Sequence, residues 1–125
     1  VKFKVCLYIL HQQIKFFFAD MPTNRETMHP VELAAWTHAE FVRIHPFADG
    51  NGRTSRMIMN YQLMAGGFLP ISIKAENQAP YYTALDQYAT ERNLVPFLTQ
   101  VYDHEKTALL DFIASYGEGA AHGTH

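Results

Sequence analysis

A chain of 125 residues is long enough for one domain with a real core and too short for two ordinary ones. Hydrophobic content of 48%, with 14% aromatic, argues against disorder, and a net charge of −2 with no run of basic residues argues against a nucleic-acid or anionic-membrane partner. No apolar run approaches the ~20 residues of a membrane span, and the single cysteine, Cys6, excludes an internal disulfide and reads as a small buried hydrophobe.

In chain order, Val1, Phe3 and Val5 alternate with Lys2 and Lys4, a pattern compatible with a short strand. Leu7, Leu10, Ile14, Phe17 and Phe18 then predict an amphipathic helix over Val5 to Ala19. The opening faintly resembles a signal peptide, but its apolar stretch is short and no small-residue cleavage site follows. The absence of an initiator Met fits a truncated or processed start. Asp20 to Met28, with Pro22, Thr23 and Asn24, reads as a loop.

Pro30 to Ile44 reads as a helix, with proline in the first turn and Glu32 favourable to the dipole. Val31, Ala34, Ala35, His38, Phe41 and Val42 give it one apolar face. Pro46 disfavours helix at His45, so the helix should end there. Arg53 to Ala65 has helical spacing again, stopped by Gly66 and Gly67. Phe68 to Ile73 is a short strand or a buried connector, Asn77 to Thr90 a helix with Pro80 in its first turn, and Leu94 to Ser115 a final helix or helix pair. Gly117 to His125 reads as a frayed tail.

The chemistry concentrates in His45-Pro46-Phe47-Ala48-Asp49-Gly50-Asn51-Gly52-Arg53-Thr54-Ser55-Arg56. Asp49 to Gly52 is a glycine-framed loop leading into a helix N-terminus, where free N–H groups and the dipole favour an anion. Arg53 and Arg56, three apart, project from one side of the first turn and suit phosphate. Asp49, the only carboxylate in the stretch, suits a hard metal ion such as magnesium. His45 suits removal of a proton from a hydroxyl. Seven histidines invite a zinc reading, but no His-Glu-x-x-His pattern or cysteine spacing supports one. His38, on the apolar face of its helix, reads as a buried, hydrogen-bonded imidazole.

The stretch resembles the signature of the Fic (filamentation induced by cAMP) family at every fixed position: His-Pro-Phe, any residue, Asp or Glu, Gly-Asn-Gly-Arg, two residues, Arg. The similarity is best over residues 28–112. It implies an all-α fold: a helical bundle core around the loop–helix anion site, as a single domain over residues 1–116 with at most a vestigial β flap at residues 1–5. It also implies transfer of AMP from ATP, with Mg²⁺, to a Ser, Thr or Tyr hydroxyl of a target protein. By resemblance His45 is the general base, Asp49 the metal ligand, and Gly50, Asn51, Gly52, Arg53 and Arg56 hold the phosphates, Arg56 contacting the γ-phosphate. Tyr82 matches an adenine-lining tyrosine, although Gln78 and Ala89 depart from the family's usual residues nearby.

Relatives that phosphorylate their targets carry Lys at the position of Gly52, and choline-phosphate transferring relatives carry Ala at that of Gly50. This chain has the AMP-transfer pattern at both, and the motif also accommodates AMP removal. The missing flap hairpin leaves open a truncated remnant that binds nucleotide or an antitoxin without efficient transfer. Family inhibitory helices carry Ser or Thr, three residues, Glu, then Gly or Asn. Ser72 to Asn77 fits that pattern by chance in the core connector, and Ser115 to Gly119 is one residue short. An inhibitor would then be an upstream segment or a separate antitoxin protein. The resemblance fits a cytoplasmic protein or a secreted effector.

Overall fold

The computed structural model describes residues 2–123. They form five helices, α1 (Lys2–Thr27), α2 (Pro30–Ile44), α3 (Asn51–Ala65), α4 (Gln78–Glu91) and α5 (Val95–Gly123), with a 3₁₀ turn at Ala75–Asn77 before α4. The all-α expectation holds, and there is no strand among the described residues.

The central element is α2. Every residue from Leu33 to Glu40 is buried, because α1, α3, α4 and α5 all pack against it. Its start follows from Pro30 at the first helical position and from His29, whose Nδ1 accepts a hydrogen bond from the Val31 N–H at 3.2 Å. Phe17 of α1 stacks on Trp36 at 5.4 Å between ring centroids. Met59 and Leu63 of α3, Tyr81 of α4, and Phe97 and Val101 of α5 complete the core.

Three local readings are corrected. Residues Lys2 to Val5 are helical, so the alternation there is not a flap strand; Val1 lies outside the described residues. Asp20 to Thr27 is not a loop but the C-terminal end of α1, with Pro22 inside it. The half-buried Met21 explains the continuation: its sulfur meets Thr37 Oγ1 of α2 at 3.8 Å and Gln62 Nε2 of α3 at 3.5 Å. Tertiary contacts here override a local breaker signal. Third, α5 runs on through Gly123, past the point where the sequence reads as a tail. Glu118, Ala120 and Ala121 are good helix formers and no proline interrupts them.

The segment after α3 is a connector, not a strand. Its polar backbone is satisfied by side chains: Asn60 accepts from the Ile71 N–H at 2.9 Å and donates to the Ile71 carbonyl at 3.0 Å. The buried Glu105 carboxylate of α5 accepts from the Leu69 N–H at 2.6 Å. These ties hold residues 69–71 against α3 and α5 before the chain enters α4.

Candidate active site

The site lies where α2 ends and α3 begins. His45 caps α2 with φ 54° and ψ 59°, a left-handed conformation that few non-glycine residues adopt. The following proline disfavours the right-handed alternative. The His45 N–H still bonds the Phe41 carbonyl at 3.0 Å, so the helix closes while the imidazole turns outward, exposed.

The loop is closed by one side chain. Asn51, buried at the start of α3, accepts from the Phe47 N–H at 2.9 Å and donates to the Phe47 carbonyl at 2.7 Å. Its Nδ2 also lies 3.3 Å from each ring nitrogen of His45. One amide therefore sets the loop's closure and stands against the imidazole. Sequence reasoning assigned Asn51 only a backbone role. The signal for the side chain was its placement four residues after Phe47, across a glycine-framed turn.

Gly50 takes φ 83°, where a side chain would be strained, and turns the chain into α3. The helix starts at Asn51, two residues earlier than its periodicity suggests, with Thr54 N–H to Gly50 carbonyl as a first bond at 3.0 Å. The N–H groups of Asn51, Gly52 and Arg53 accordingly have no intrahelical partner. The Gly50 N–H, expected to be free, is instead held by Asp49 Oδ1 at 2.8 Å.

Arg53 and Arg56 flank this end, and neither pairs with a carboxylate among the described residues. A Cβ on Gly52 would lie 3.1 Å from Arg56 Nη1, so the bare glycine is what lets that guanidinium fold over the turn. On its other side, Arg56 Nη1 is 3.5 Å from the Tyr81 hydroxyl, which is itself 2.8 Å from His38 Nε2. His38 is fully buried, as its apolar position predicted. Burial, reinforced by the charge of Arg56 and opposed by a backbone hydrogen bond, lowers its pKa to about 4. Burial raises the Tyr81 pKa against the pull of Arg56. The sequence marks His38 as a buried, hydrogen-bonded imidazole, and the structure supplies the partner that sequence did not name, the Tyr81 hydroxyl.

Tyr82 is exposed, with its ring tilted against that of Tyr81 at 5.1 Å. It shares a cavity of about 380 Å³ with Arg56, Asn60, Ser72 and Gln78. Asp49 is exposed, and one of its oxygens accepts the Gly50 bond. No group of three or more metal-ligating His, Cys, Asp or Glu side chains occurs among the described residues. A lone carboxylate beside free N–H groups fits magnesium, which takes one or two carboxylates and fills its shell with phosphate oxygens and water.

The arrangement defines an all-α domain with an anion cradle at a helix N-terminus, two uncompensated arginines and an exposed histidine beside it. The Fic/DOC family model matches residues 7–63, which hold the whole motif. Among curated relatives, the protein adenylyltransferase Fic of Culex quinquefasciatus is 47% identical over 76 residues, covering 61% of this chain and 15% of that protein. The protein of the same name from Nematostella vectensis is 41% identical over 90 residues, covering 72% and 21%. Among solved structures, Fic-1 (residues 134–508) from C. elegans superposes with a TM-score of 0.75 at 33% identity, over 86% of this chain and 32% of that one. A Fic domain containing signaling protein from Bacteroides thetaiotaomicron gives 0.71 at 26% identity, over 91% and 47%. The chain belongs to the Fic/DOC family. It spans between 15% and 21% of the length of these curated relatives.

Proposed function

We propose that this domain transfers AMP from ATP to a hydroxyl side chain of a target protein. The observation that carries the reading is the juxtaposition of the outward His45 imidazole with the three unpartnered N–H groups at the start of α3. An α-phosphate seated on those groups would lie beside a base and an oxyanion cradle at once. The likeness to relatives named protein adenylyltransferase Fic supports the same chemistry.

His45 takes the proton of the attacking Ser, Thr or Tyr hydroxyl through a ring nitrogen, with Asn51 steadying the imidazole. The hydroxyl oxygen bonds to the α-phosphorus, the bond from that phosphorus to the α–β bridging oxygen breaks, and pyrophosphate leaves. The N–H groups of Asn51, Gly52 and Arg53 stabilise the charge that builds on the non-bridging oxygens. Arg53 and Arg56 hold the phosphate tail, and Tyr82 offers a stacking face to adenine at the mouth of its cavity. Asp49 would hold Mg²⁺ through its free oxygen, and the ion would neutralise phosphate charge.

Intact-protein mass spectrometry after incubation with ATP and Mg²⁺ tests this directly. Wild type should gain the mass of AMP on itself or on an added target, and His45→Ala should lose at least 100-fold in rate, the lower range for a general base. Transfer that persists undiminished in His45→Ala would sink the assignment of the base. ATP binding without any transfer by wild type would favour a nucleotide-binding remnant.

A further inference from the structure

Two arginines in this molecule are anchored in opposite ways. Arg43 donates to Glu40, forming the single ion pair among the described residues, and its charge is compensated. Arg56 is anchored with no acid at all. It lies between the bare α-carbon of Gly52 and the Tyr81 hydroxyl, and Tyr81 rests on the fully buried imidazole of His38.

From this geometry we propose that Tyr81, backed by His38, is a positioning residue that fixes the Arg56 guanidinium toward the phosphate tail without neutralising it. The proposal rests on the reading of the site as an ATP site. A carboxylate in the same place would compete with the ligand for the guanidinium's charge and donors. A phenol supplies direction and leaves the full positive charge to the nucleotide. The Arg56 to Tyr81 separation of 3.5 Å is the long end of a hydrogen bond.

The proton inventory supports the order of the chain. Arginine can only donate, so the Tyr81 oxygen accepts from it and its O–H is free to donate onward. The acceptor within reach is His38 Nε2 at 2.8 Å. That requires a neutral imidazole with its proton on Nδ1, and burial keeps His38 neutral at physiological pH.

The test compares ATP and AMP, because AMP lacks the tail that Arg56 would read. Affinities of the full chain for each, with Mg²⁺, are measured by calorimetry alongside AMP transfer. Tyr81→Phe, which keeps the ring, should weaken ATP about 10-fold and AMP less than 2-fold, with KM for ATP rising more than kcat falls. His38→Leu should reproduce that loss of selectivity with the phenol intact, and His38→Gln, which restores an acceptor, should recover most of it. Equal weakening of ATP and AMP, or no change in either, would overturn the positioning role. The His38 pair answers the same question if Tyr81→Phe does not fold. Failure of the wild type to bind ATP or transfer AMP would instead count against the proposed function.

Discussion

At the scale of single residues, the motif's backbone geometry was legible because its proline and glycines restrict or free the chain at fixed positions. Gly50 at φ 83° and His45 at the end of α2 sit where Pro46 and the glycine pattern predict. What stayed hidden were the side-chain bonds between elements. The Asn51 amide closing on Phe47 and the link from Tyr81 to His38 join residues 4 and 43 apart, and no local pattern announces the second of these. His38 also makes a prediction about acid. Its folded pKa, about 4, lies below its ordinary 6.5, so between those values the unfolded chain binds the proton and the folded one does not. The stabilisation is complete above pH 6.5 and is lost as pH falls toward 4, on the order of 3 kcal/mol in all. His38→Gln, which has nothing to titrate there, should flatten this part of the pH profile in urea unfolding between pH 7.5 and 4.5. An unchanged slope would mean that other groups set it.

At the scale of elements, helices were readable where an apolar face repeats, and less so where one residue's distant partner decides. The extension of α1 through Pro22 depends on Met21 reaching Thr37 and Gln62, residues 16 and 41 positions away. The junction of α3 with α2 is similarly non-local. Gly66, which reads from sequence only as a helix stop, has its Cβ direction filled: a methyl there would lie 2.6 Å from Pro30 Cβ and 3.3 Å from Pro30 Cγ. The proline ring is rigid and begins α2, so one helix must shift. Gly66→Ala should therefore destabilise the fold by about 1–3 kcal/mol, the usual cost of overpacking, despite a gain in helix propensity. Chemical denaturation of the two proteins side by side would measure it, and a stabilised variant would show that the interface yields.

At the scale of the whole molecule, α2 organises everything. It is buried along eight consecutive residues, and it ends in the candidate base. The connector after α3 leads the chain into α4. It is held by Asn60 from one helix and Glu105 from another. Burial raises the pKa of Glu105 against the Leu69 N–H bond, so its stabilisation runs opposite to that of His38, being greatest at acid pH and declining as pH rises above the ordinary value for glutamate. The family signature implied the all-helical fold, and apolar periodicity marked individual helices within it. The ties that hold the connector were not legible, because Asn60 and Glu105 meet backbone groups 11 and 36 residues away.

The left-handed backbone at His45 sets durability against activity. A non-glycine residue there costs about 1–2 kcal/mol, while glycine's greater freedom in the unfolded chain takes back about 0.5–1 kcal/mol. His45→Gly should then melt higher than the parent by about 0.5–1 kcal/mol of stability and be chemically inert, whereas His45→Ala should be inert without the gain. A lineage selected only for persistence would drift toward glycine at this position. Thermal melts of the two variants against the parent would measure what the left-handed backbone at His45 costs the fold.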